Sequence, residues 1–257
     1  MGSNQMPSIP QASSPFCWAE CLGGCSADHS REHILTKSTL SEPQVLIEGF
    51  PFQAGKPIVL HKNNFSTNIL CRYHNNNLSS VDQAGTWTFE ALTNAASGSP
   101  RKKNVIRGHM FERWLLKTLI NIELLANFNT KIPPELVRRV FGKEAFPPNS
   151  GMYFIGQDRN GVAAEQRITF LRLHDPTQGN GMVASIFTVG DFKLFLTLGP
   201  ISHPQNPFRV RNKDGTSEEY KLFYHPPGFK FDAGNLVNID WKKGVNTAVK
   251  SKRKKQY

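Results

Sequence analysis

Cysteine is scarce in this sequence, acidic residues are outnumbered, and long apolar runs are missing. Among 257 residues there are four cysteines, three between positions 17 and 25 and the last at 71. A secreted disulfide scaffold carries more cysteines and spreads them wider, so the pattern argues against one. No apolar stretch approaches the ~20 residues of a bilayer-spanning helix, which argues against a membrane protein. The opening residues MGSNQMPSIPQASSP have neither a basic start nor an apolar middle. They do not read as a secretory leader, and residues 1–14 read instead as a flexible lead-in. A cytoplasmic protein is the expectation.

The shortage of acid has its own consequence. Lys and Arg number 31 against 20 Asp and Glu, a net charge of +11, and the isoelectric point is near 9.6. Such a surface attracts polyanions, nucleic acid above all, and DNA rather than RNA is the expected partner. A run of positive charge closes the chain as KSKRKKQY. Residues 246–257 read as a solvated basic tail able to add phosphate affinity without sequence preference.

What remains is ordinary globular material. Hydrophobic residues make up 39% and charged residues 20%, enough for one large core or two small ones. The strip LTNAASGSPRKK, ending at Lys103, is small, polar and then basic, and reads as a linker. Residues 104–127 read as an amphipathic helix, with Val105, Ile106, Met110, Phe111, Trp114, Leu115, Leu119 and Ile122 on one face. A shorter helix is expected at 134–140, entered through two prolines. From Gly151 onward, MYFIG, RITFLRL, MVASIFTVGDFKLFLTLG and KLFYH are short β-branched and aromatic runs, read as strands. QDRNG and NKDGT read as hairpin turns. His174, His203 and His225 share no spacing and read as loop residues.

The cysteines gain meaning from their neighbours. Cys17, Cys21, Cys25, His29 and His33 crowd into one short stretch. Further on, Cys71 and His74 have the two-residue spacing of a zinc knuckle. Zinc takes four nitrogen or sulfur ligands in a tetrahedron, and a short turn delivers two at once. Cys21 and Cys25, or alternatively Cys17 and Cys21, form the first pair, and Cys71 with His74 the second. A closed, structural Zn²⁺ site is expected, held by Cys21, Cys25, Cys71 and His74, with Cys17 in place of Cys25 left open.

These motifs resemble the HNH, or ββα-metal, endonucleases that carry a zinc knuckle around the active site. The residues that carry the likeness are Cys21 and Cys25, then Ser30-Arg31-Glu32-His33-Ile34-Leu35, then Leu70-Cys71-Arg72-Tyr73-His74-Asn75. It covers the N-terminal third only. The resemblance implies a metal-dependent endonuclease hydrolysing phosphodiester bonds. His33 would be the general base, and Glu32 and Asn75 would be ligands of a catalytic Mg²⁺ or Mn²⁺ ion. Asn68 would be the middle asparagine of the motif. Arg31 and Lys37 flank the histidine and could touch phosphates. His74 stands where a cysteine is commoner, which imidazole chemistry allows.

The resulting expectation is an α+β chain. It has a ββα-metal, zinc-bound nuclease domain at 15–95, a helical connector at 104–145 and a β-rich domain at 150–245. The last supplies substrate choice, a protein partner or an oligomer contact. Ser79 and Asp82 are expected to cap or brace a helix, Trp87 and Phe89 to be core, and His29 to be exposed. The other function class is a non-catalytic zinc module that binds nucleic acid or a protein partner.

Overall fold

A computed structural model describes residues 9–13, 16–40, 42–53, 56–98, 105–157, 167–174, 182–189, 192–199, 208–211, 217–220, 223–231 and 235–242. The two expected hairpin turns, His203 and the basic tail lie wholly or largely outside these residues. The class is mixed α+β.

The N-terminal third is built on a two-stranded antiparallel hairpin, β1 (His29–His33) with β4 (Ser66–Cys71). The long connection between them carries β2 (Gln44–Glu48) and β3 (Ile58–His61). Two helices follow β4 without a break, α1 (Arg72–Asn77) and α2 (Ser79–Ala96). In α2 the buried positions are Val81, Ala84, Gly85, Thr88, Phe89, Leu92 and Ala95, one continuous stripe at helical spacing. Phe89 is core as expected. Trp87 is not, being 53% exposed on the opposite face.

The central helix is α3 (Gly108–Ala126). It starts later than periodicity suggests, because Val105–Arg107 forms β5. That strand pairs in parallel with β14 (Leu236–Asp240), so a distant strand takes the backbone bonds a helix would have used. α3 is buried almost all round, Phe111, Trp114, Leu115 and Leu119 included. Each such side chain contributes roughly 1.5–3 kcal/mol by leaving water. Trp114 lies so close to Gly85 that a Cβ there would meet its ring at 2.3 Å. α4 (Pro134–Val140) follows with proline in its first turn, as expected.

The β-rich half forms β6 (Gly151–Gln157), β7 (Arg167–His174), β8 (Met182–Val189) and β9 (Phe192–Thr197). Further short strands are β10 (Phe208–Arg211), β11 (Ser217–Tyr220), β12 (Phe223–Tyr224) and β13 (Gly228–Lys230). A seven-stranded sheet runs in the order β12-β6-β9-β8-β7-β2-β3. β2 lies parallel to β7, so the insertion of the N-terminal hairpin completes the C-terminal sheet. A second sheet has the order β13-β14-β5.

Sheets and core therefore cross the boundaries that composition suggested near residues 95 and 150. One cluster of buried side chains reaches from Ile9 to Ile239. The lead-in shares in it: Ile9 is 2% exposed, and Gln11 donates to the Ser66 carbonyl at 3.1 Å.

His225 is no ordinary loop residue. Its backbone is left-handed at φ 42°, and its ring stacks on Trp241 with centroids 3.9 Å apart. Its Nε2 lies 2.9 Å from Glu112 Oε1, in the second turn of α3. The same carboxylate accepts from the Met152 N–H at 2.8 Å. Gly151 makes this possible, since at φ 113° a Cβ would sit 2.0 Å from that oxygen.

Candidate metal centre and the Glu32–His33 strand

The metal-ligating residues converge where β4 becomes α1. Cys71 caps the helix, and its sulfur accepts from the His74 N–H at 3.5 Å. A cap position followed three residues later by a ligand is what a two-residue spacing yields. His74 Nδ1 then lies 3.2 Å from Cys71 Sγ, 3.4 Å from Cys17 Sγ and 3.5 Å from Cys25 Sγ. The four ligand atoms all fall within 4.8 Å of one another. Zinc bonds of ~2.3 Å to sulfur and ~2.0 Å to nitrogen place those atoms about 3.6 Å apart in a tetrahedron. The donor set and its spacing fit a structural ion such as Zn²⁺.

Cys21 stands outside this group. It lies in the 3-10 turn Glu20–Leu22 and is exposed. The chain leaves that turn through Gly23 and Gly24, both at φ 72°, where a β-carbon would be strained. The glycine pair returns the chain so that Cys25 meets Cys17. The first pair is thus Cys17 and Cys25, a pairing that neither short spacing described. The glycine pair was the available signal.

The thiols differ in character. Burial pushes Cys17 up to about 12, and burial raises Cys25 as well. At Cys71 burial opposes the thiolate, but the backbone N–H groups of His74 and Ser26 overcome it and bring the thiol down to about 6. Cys71 is the thiol most readily ionised, and an ion held there would have to displace protons from the other two. Phe141, just past α4, meets the His74 ring edge-on at 5.6 Å. Trp18 N–H donates to the Ile69 carbonyl at 3.1 Å, tying the cysteine loop to β4.

Along β1 the other candidates separate. The hairpin carries a bulge, with Asn68 and Ile69 of β4 facing the single residue Arg31. Asn68 is half-buried in that bulge. Asn75 Nδ2 donates to Ser30 Oγ at 2.8 Å, near the zinc end of the strand. His33 lies three residues further on, about 10 Å along the strand. Asn75 and His33 are not brought together. His29 is half-buried rather than exposed, opposite Cys71.

Glu32 points inward. It is 2% exposed, and its Oε1 lies 2.5 Å from Lys117 Nζ on α3. Asp82 Oδ1 lies 2.5 Å from the same nitrogen. Asn121 donates to Glu32 Oε1 at 3.2 Å and to the His33 carbonyl at 3.3 Å. Thr36 donates to Asp82 at 2.5 Å, and the Trp114 indole donates to Thr36 at 2.8 Å. Burial opposes charge on Lys117, but Glu32 and Asp82 override it and raise the ammonium. Burial also raises the Glu32 carboxyl against the pull of Lys117; with two carboxylates on one nitrogen, the proton stays on Lys117. A Glu32 held this way, with Asn75 bonded to Ser30, does not fit the pair of ligands expected for a catalytic Mg²⁺ or Mn²⁺.

Asp82 braces the strand to both helices, while Ser79 caps nothing: its hydroxyl donates back to the Asn76 carbonyl. Lys117 and Asn121 were invisible to motif reading. Their signal was two polar side chains inside a helix apolar on nearly every side, which burial forces to find partners.

His33, at the end of β1, is half-buried. Its pKa is lowered first by burial, then by the charges of Lys37, Lys117 and Arg31, with Asp82 acting the other way. Its Nδ1 is buried without a hydrogen-bond partner among the described residues. Burial and the nearby positive charges together favour the neutral ring.

Comparison with protein-family models, with curated proteins and with solved structures finds no match for this chain. Among the described residues, no helix is long and apolar enough to cross a membrane.

Proposed function

We propose that this protein is an HNH-type endonuclease of the cytoplasm, hydrolysing phosphodiester bonds in DNA with His33 as general base. The observation that carries the reading is the environment of His33. A half-buried imidazole, kept neutral by burial and by Arg31, Lys37 and Lys117, suits both taking a proton and attracting a phosphate. Water attacks phosphorus as His33 takes its proton. The bond from phosphorus to the sugar oxygen breaks, and solvent protonates the leaving oxygen. Arg31, exposed beside the bulge, and Lys37 offset the phosphate charge. Cys17, Cys25, Cys71 and His74 would hold a zinc ion at the far end of the same hairpin, where four protein ligands would leave no position for water and its role would be structural.

The second reading is a zinc-stapled module that binds nucleic acid without cutting it. It is favoured by the engagement of Glu32 with Lys117. Supercoiled plasmid and a single-stranded RNA, incubated with wild type and with His33→Ala, separate the two. The endonuclease reading expects plasmid nicking that falls on the order of a hundredfold in His33→Ala, with binding retained. Binding with no cleavage by purified wild type establishes the module instead.

A further inference from the structure

We propose that the Lys117 ammonium is a built-in cation, holding between Glu32 and Asp82 the place a divalent metal ion would otherwise take. Where His33 acts as base, as proposed above, hydrolysis then needs no free divalent cation.

The contacts point this way. One nitrogen lies 2.5 Å from a carboxylate oxygen of Glu32 and 2.5 Å from one of Asp82. The surroundings are rich in oxygen. Thr67, directly across the hairpin from Glu32, is fully buried, and its hydroxyl has no partner among the described residues. Asn121, also fully buried, contacts Glu32 through Nδ2, while its Oδ1 has no partner among the described residues. Two carboxylates, a hydroxyl and an amide oxygen are ligands suited to a hard cation. The two carboxylates meet on Lys117, which is 2% exposed, and Thr67 and Asn121 adjoin Glu32.

A lysine here differs from a metal ion in consequence. It is covalently fixed, so one of the two negative charges on Glu32 and Asp82 is offset at any cation concentration. It comes from α3, so the pairing also locks β1 and α2 onto the central helix. Without it, buried Glu32 would face partly exposed Asp82 with no positive charge between them, a state relieved by protonation or by capturing a cation.

The test is Mn²⁺ binding, followed by electron paramagnetic resonance on the intact, zinc-loaded chain. Wild type is expected to bind no Mn²⁺ at this position. Lys117→Ala vacates the pocket and is expected to bind one Mn²⁺ per chain, with affinity raised roughly tenfold or more over wild type. The double variant Lys117→Ala/Glu32→Gln is expected to lose that ion again. If Lys117→Ala folds poorly, Mn²⁺ is expected to raise its melting temperature while leaving the double variant unmoved. A Lys117→Ala protein that folds without taking Mn²⁺, or stays unfolded in its presence, overturns the proposal. So does wild type that binds Mn²⁺ through Glu32. Cleavage is read separately: a flat dependence on Mg²⁺ in wild type, turning steep in Lys117→Ala, is expected. If no protein cleaves but the Mn²⁺ results hold, the hydrolase reading fails and the assignment of Lys117 stands.

Discussion

Cys17 Sγ lies 3.4 Å from His74 Nδ1, although 57 positions of sequence separate them. The contact joins the first loop of the chain to the first turn of α1, and the whole hairpin lies between. Loss of either partner opens that loop.

Metal content should follow this geometry and not the shortest spacing. Purified protein is expected to hold one zinc per chain by elemental analysis. Cys17→Ala, Cys25→Ala and Cys71→Ala should each lose it, and Cys21→Ala should keep it. Structural zinc contributes directly to folding, so the first three should lower Tm by on the order of 10 °C, each kcal/mol being worth ~2–4 °C at this size. Zinc retained in Cys17→Ala would contradict the site.

The acid limb of cleavage should lie low. Burial and neighbouring cations hold His33 below the ordinary imidazole value. The neutral, active form therefore persists at more acidic pH than a free histidine at ~6.5 allows. Plasmid nicking measured from pH 5 upward should reach half its plateau at a pH below the ~6.5 of a free histidine. A decline centred above pH 7 would mean that another group limits the rate.

Glu32→Gln should behave as a stability variant before anything else. It leaves Lys117 buried with Asp82 as its remaining charged partner and removes the pair that ties β1 to α3. Breaking a buried pair from one side costs about 3–5 kcal/mol. Urea unfolding should show a lowered midpoint, with an unchanged slope, that corresponds to a stability loss of that order. A wild-type midpoint together with a raised Mg²⁺ requirement would restore Glu32 as a ligand of a free cation.

Acid should loosen the attachment of β6 and His225 to α3. Burial alone would raise the Glu112 carboxyl, but hydrogen bonds from His109, His225 and the Met152 N–H hold it below the usual value. The stability it contributes is fully present above the unfolded carboxyl value of ~4.3 and is lost as pH falls through the lower folded value. Urea midpoints of wild type and Glu112→Gln should therefore converge on acidification below about pH 4. A constant gap between them down to pH 3 would show that the carboxylate charge is not what holds this contact.

The sequence by itself determined the local events. The x2 spacing of Cys71 and His74 marks a metal knuckle, apolar residues at helical spacing give most of α3, and β-branched runs give β6 to β9. These are decided within a few residues, by hydrogen-bond reach and by the periodicity of one strand or helix. Only the tertiary structure decided the rest. Whether Cys17 or Cys21 closes the metal site depends on a glycine turn that carries Cys25 back to Cys17. Residues 105–107 became a strand because β14, more than a hundred positions away, supplied its backbone partners. Glu32, adjacent to His33 and part of the same motif, faces away from it into the core because Lys117 and Asn121 on α3 offer a buried charge and an amide. Sequence adjacency cannot report a partner that arrives from another element, and in a dry interior that partner sets the role of the charge.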